Sequence, residues 1–185
     1  MSTFTLRDPP NDLTTILSIE NKLQLPSFTS DTAFELGSLI RSRLRESFAR
    51  PAIVSITHAN SDQLLFHAVS KPGPAGPGTV VGGAGTVGTA PDNDIWAARK
   101  RRTVLRFGTS TWYMRAKCGT EEAFKAKFAL GERAGDYAIH GGGFPVRVRG
   151  VEGLVGVIVV SGLKMEEDHQ VIVQCLEEYL GESAV

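Results

Sequence analysis

Residues 137–163 read YAIHGGGFPVRVRGVEGLVGVIVVSGL, and the fold follows from how this stretch is parsed. Val146 and Val148 alternate with Arg147 and Arg149, the period of a strand with one face in water. The unbroken apolar run that follows, ending at Ser161 and Gly162, reads as a central strand buried on both faces. Earlier in the chain AIVSITH (52–58) and QLLFHAVS (63–70) flank the turn residues Ala59, Asn60, Ser61 and Asp62 and predict a hairpin. His67 shares a strand face with Leu65 and Val69, the position of a core or interface histidine.

Helices fill the rest. Leu13, Ile16, Leu17 and Leu23 predict a short opening helix stopped by Pro26. Ala33, Leu36, Ile40, Leu44 and Phe48 predict a second, capped by Ser30, Asp31 or Thr32, with Thr32 and Glu35 as a capping box. Asp92 or Asp94 caps a helix predicted to run to Gly119, and Thr120 opens a shorter one. EEDHQVIVQCLEEYLGE closes the chain as an amphipathic helix with acids at its positive end. Strands thus come in groups rather than in strict strand–helix alternation, which predicts an α+β fold with an antiparallel sheet and packed helices. The segment from about 71 to 90 is rich in Gly and Pro and reads as an exposed, flexible loop inside the domain.

A chain of 185 residues suits one domain, 1–185, with a full core. Lys plus Arg equal Asp plus Glu at 20 each, so the broad positive field of a nucleic-acid or anionic-membrane binder is missing and neither partner is expected. No window approaches a membrane span, and MSTFTLRDPPNDL has no apolar stretch behind a basic start. With two cysteines, Cys118 and Cys175, and no disulfide framework, the expected location is the cytoplasm.

Several motifs carry chemistry on paper. Gly83, Gly85 and Gly88 satisfy GxGxxG but lack the preceding strand and following helix of a dinucleotide site. RKRR at 99–102, with Arg106 one turn on, reads as an ion-paired face, an anion-holding patch or a targeting signal. His140, Gly141, Gly142 and Gly143 resemble the HGGG oxyanion loop of esterases. The matching nucleophile, Ser110 between Gly108 and Trp112, lacks the final glycine of the elbow, so a hydrolase ranks third among the readings and catalytic residues stay unknown. Asp168 and His169 form a possible carboxylate–imidazole pair, with Ser161 near them. No HxH or HExxH spacing exists, so no metal is expected.

Taken in order, LPSF (25–28), PAIVSI (51–56), LFHA (65–68), PDNDIWAARKRRTVLRFGTST (91–111), DYAIHGGGFPVRV (136–148) and VSGLKMEEDH (160–169) resemble the GlcG/HbpS-like, or haem-degrading domain, superfamily and its cytosolic branch of bacteria and fungi. The resemblance implies a profilin-like α+β domain, a sheet of about five strands and a homo-oligomer. The Gly/Pro-rich insertion departs from that pattern. The expected function is binding of a small anionic molecule between the long central helix and the HGGGFP loop. Asn93, Trp96, Arg99 and Lys100 are expected on one side, and His140, Gly141, Gly142 and Gly143 on the other, with Ser161, Asp168 and His169 as secondary candidates. Haem is the cofactor the resemblance raises, its propionates on the basic residues and His140 near the iron. The rival expectation is an interaction or assembly protein whose glycine and arginine motifs serve subunit contacts.

Overall fold

The structure is a computed structural model that describes residues 4–73 and 89–181. In chain order its elements are α1 (Leu13–Lys22), α2 (Ser30–Ser47), β1 (Ile53–His58), β2 (Leu64–Val69), α3 (Pro91–Phe107), α4 (Thr111–Cys118), α5 (Glu121–Lys127), a 3₁₀ turn (Gly131–Asp136), β3 (Gly143–Val146), β4 (Gly156–Ser161) and α6 (Met165–Leu180). The sheet runs β2-β1-β4-β3 and every pairing is antiparallel.

The period-two pattern decides which layer each strand residue joins. Val54, Ile56, Ile158, Val160, Phe144 and Val146 face α2 and α6, where Ala33, Leu36, Ile40, Leu44, Ile172 and Leu176 complete the main core. Ile53, Val157 and Val159 point the other way, onto Ala97 and Val104 of α3. Helices therefore cover both faces of the inner strands, which is why β4 is buried along its whole length. A third cluster, Met114, Phe124, Leu130, Tyr137 and Ile139, ties α4 and α5 to the segment leading into β3.

Four expectations change. The sheet has four strands among the described residues rather than the five that the resemblance implies, and its edge strand ends at Val146, where the chain leaves the sheet. Leu25 donates to the Arg147 carbonyl at 2.9 Å and accepts from the Arg149 amide at 3.0 Å, so Val148 makes a lone parallel bridge to the α1–α2 connection. The helix expected to reach Gly119 breaks instead at Gly108. Its left-handed φ of 68° ends α3, and Ser110 then starts α4, its Oγ accepting the Tyr113 amide at 3.0 Å.

Caps shift as well. Thr29 accepts the Thr32 amide and caps α2, while Asn93 Oδ1 reaches back to the Ala90 amide at 2.8 Å at the start of α3. His67 lies at the surface with Nε2 3.5 Å from Asp94, outside the core. The Gly/Pro-rich insertion and the GxGxxG glycines fall almost wholly outside the described residues. No described helix is long and apolar enough to cross a membrane.

Candidate functional site

Where β4 ends and α6 begins, a cleft of about 250 Å³ opens between Arg50, Asn93, Trp96, Lys100, His140, Ser161, Gly162, Leu163, Met165 and Asp168. Four separate segments build it. Arg50 comes from the α2–β1 connection, Asn93, Trp96 and Lys100 from successive turns of α3, and His140 from the approach to β3. Ser161 to Asp168 supply the end of β4 and the first turn of α6.

The floor is an ion pair. Lys100 is only 2% exposed, and its Nζ donates to Asp168 Oδ2 at 2.9 Å and to the Val160 carbonyl at 2.9 Å. Asp168 Oδ1 accepts the Leu163 amide at 3.0 Å. Burial pushes the Asp168 carboxyl up from the ordinary carboxylate range, while the Lys100 ammonium and the Leu163 and Gly162 amides pull it back. The triple glycine makes this packing possible. At Gly142, with φ of +108°, a Cβ would lie 2.3 Å from the Val160 carbonyl oxygen and 2.8 Å from Lys100 Nζ. A Cβ on Gly141 would lie 2.1 Å from the Met165 carbonyl oxygen, and one on Gly143 2.8 Å from Thr111 Cγ2. Only glycine allows three chain segments to close around one another here.

One wall is aromatic and the other is a histidine. The Trp96 and His140 rings meet edge to face with centroids 4.9 Å apart. His140 Nδ1 lies 3.1 Å from Glu121 Oε1, which also accepts the Ile139 amide at 2.9 Å. Burial pushes the Glu121 carboxyl up. The hydrogen bonds from His140 and Ile139, with Lys125 nearby, outweigh it and hold the group below the usual carboxylate range. A carboxylate only accepts hydrogen bonds, so Nδ1 carries a proton and, in the neutral ring, Nε2 keeps the lone pair.

Of the residues singled out from sequence, Asn93, Trp96, Lys100, His140, Ser161 and Asp168 line this cleft together. Arg99 does not. Its Nη2 donates to the Tyr137 carbonyl at 3.0 Å and its guanidinium stacks 4.5 Å from the Trp96 centroid, so it props the tryptophan from behind. Gly141, Gly142 and Gly143 are buried beneath the cleft rather than lining it, and the Gly143 amide donates to Thr111 Oγ1 at 2.9 Å. They serve as packing and make no oxyanion hole. His169 sits apart from the cleft, 3% exposed between Trp112 and Phe144, and burial pushes its imidazole down to about 3. It forms no pair with Asp168. Ser110, the expected hydrolase nucleophile, is fully enclosed and committed as a cap.

Sequence reasoning missed Arg50 and Glu121. Neither carries a local signal, since Arg50 precedes a proline that reads only as a strand opening and Glu121 meets His140 across 19 positions. The arginine run is matched by acids: Arg101 with Asp62 at 3.2 Å and Arg102 with Asp136 at 3.8 Å. No cluster of three His, Cys, Asp or Glu among the described residues suits a metal ion. Haem does not fit the cleft either. Its volume lies below the roughly 300–1,000 Å³ of enclosed sites for drug-sized ligands. The expected propionate partners, Lys100 and Arg99, already have internal partners.

The α+β fold, an antiparallel sheet with helices on both faces, is one that the HbpS structures share. The family described as haem degrading protein HbpS-like matches residues 77–177. The chain belongs to this family, and within it to the UPF0303 proteins. It is 39% identical over 168 residues to the UPF0303 protein SCO2848 of Streptomyces coelicolor, covering 88% of this chain and 90% of that one. It is 33% identical over 166 residues to the UPF0303 protein YBR137W of Saccharomyces cerevisiae, covering 89% and 82%. The crystal structure of Ybr137w superposes with a TM-score of 0.78 at 32% identity, covering 92% of this chain and 88% of that one. That of HbpS superposes with a TM-score of 0.56 at 16% identity, covering 86% and 94%, a likeness of fold alone.

Proposed function

We propose that this chain is a cytoplasmic, homo-oligomeric binding protein that holds a small anionic molecule, a carboxylate of a few carbons, in the cleft between α3 and the start of α6. One observation carries the reading. Lys100 and Asp168 cancel each other within the floor, whereas Arg50 is exposed and has no carboxylate partner among the described residues. The cleft thus keeps one unmatched guanidinium at its rim, a flat Trp96 wall, and polar groups on Asn93, Ser161 and His140 to orient a ligand.

The rival reading, subunit contact through the glycine and arginine motifs, has less support, because Gly141–Gly143 and Arg99 make their contacts inside one chain. Calorimetric titration with acetate, pyruvate and malonate tests the proposal. Arg50→Met is expected to weaken binding by about 10- to 100-fold, the loss of one charge-assisted hydrogen bond of roughly 1.5–3 kcal/mol. Equal affinity in the native protein and the variant refutes the role of Arg50, and no binding of any of the three refutes the ligand class.

A further inference from the structure

Resting on that reading of the cleft, we propose that it performs chemistry as well as binding: His140 is a general base that removes a proton from the carbon beside the carbonyl of a small oxo-carboxylate.

Binding alone does not call for a half-buried carboxylate behind one imidazole. Glu121 is 13% exposed in its side chain, its Oε2 has no hydrogen-bond partner, and its Oε1 faces Nδ1 of His140 at 3.1 Å. That arrangement fixes the tautomer, so the ring nitrogen left with a lone pair is Nε2. The imidazole is 39% exposed and lines the cleft, and the Trp96 ring limits its rotation. The charged groups around it are Glu121 and Lys125 of α5, Arg50 of the α2–β1 connection, the Lys100–Asp168 pair beneath, and Arg99 behind Trp96.

These groups divide the work of a proton transfer. Arg50 holds the substrate carboxylate. His140 Nε2 takes the carbon-bound proton, and the electron pair of the broken C–H bond moves into the adjacent carbonyl to give an enolate. The Asn93 amide and Ser161 hydroxyl line the same cleft and are the donors for the oxygen that gains charge. Glu121 stabilises the imidazolium, which then returns its proton to carbon. The step is an isomerisation or a proton exchange, balanced without oxidant or reductant. His140 is thus a catalytic residue, and Glu121 a positioning residue that acts through it.

The test is proton exchange of pyruvate and 2-oxobutyrate in D₂O, followed by loss of the C3 proton signal in NMR, with saturation transfer reporting binding in the same tubes. The native protein is expected to exchange C3 protons above the protein-free background. His140→Gln should lower that rate by about 10²- to 10⁴-fold while binding persists. Glu121→Gln should lower kcat with KM little changed, and Glu121→Asp should recover part of that rate, a pattern that a purely structural role does not produce. Binding of both probes without exchange overturns the base and leaves the binding reading standing. No binding overturns both. Ester cleavage dependent on Ser161, without exchange, assigns the imidazole to a serine instead and overturns the carbon-acid step.

Discussion

Replacement of His169 by phenylalanine isolates one buried titration. The imidazole is 3% exposed, lies 5.8 Å from the Trp112 ring and 6.0 Å from Phe144, and its Nδ1 has no hydrogen-bond partner. Nothing there accommodates a charge, so burial pushes its pKa from 6.5 down to about 3. The unfolded chain therefore binds a proton below pH 6.5 that the folded chain refuses. Stability is complete above that value and falls as pH drops toward 3. Between pH 7 and 5 the loss from this one residue is about 2 kcal/mol. For a protein of this size that equals roughly 4–8 °C in Tm. Urea or thermal unfolding of the native protein and His169→Phe at both pH values gives the result as a double difference. Every other titratable group is common to the two proteins and drops out. The native protein should lose about 2 kcal/mol more than the variant, and parallel loss in the two refutes the claim that His169 is held neutral.

Lys100→Ala leaves the Asp168 carboxylate enclosed without its cation and is expected to cost about 3–5 kcal/mol in urea unfolding, whereas the paired change Lys100→Met with Asp168→Leu should cost less than the single one. Gly142→Ala places a Cβ against the Val160 carbonyl at a left-handed φ and is expected to cost at least the roughly 1–3 kcal/mol of a strained backbone, about 2–12 °C in Tm; a melting temperature within a degree of the native value overturns the packing role.

Periodicity made the layers legible. The alternation through β1 and the buried run of β4 are local properties, and the helical spacing of Leu36, Ile40 and Leu44 is another, so the sheet and its helical covers could be read from neighbours in sequence. Boundaries were harder wherever one residue decides a backbone angle. Gly108 ends a helix in a left-handed conformation, yet the flanking Phe107 and Tyr113 continue the apolar pattern across it. The edge strand stops short for a similar reason, because Val148 keeps the strand period but finds its partner in Leu25 rather than in the sheet. The cleft was half legible. Asn93, Trp96 and Lys100 share a helix at spacings of three and four, so they had to lie together. Which cation stays free is a long-range matter. Lys100 is cancelled by a residue 68 positions away and Arg99 is drawn to a carbonyl 38 positions away, and no spacing rule reports either.

The glycine run shows why a motif's chemistry cannot be inferred from its residue types alone. In an oxyanion loop successive glycines turn their amides toward a ligand, and the same three residues here turn their bare Cα atoms toward the protein. Gly142 brings the loop within reach of Lys100, Val160 and Asp168, and the ion pair that fills the gap removes the lysine from the ligand's side. Closing the floor in this way has a consequence for the mouth. On the proposed reading a ligand meets a neutralised ion pair below it, so its orientation falls to the groups at the rim: Arg50 for a carboxylate, and His140 Nε2 for an acidic proton. The arrangement disfavours a bulky polyanion, which would need both cations, and favours a short molecule with one negative end.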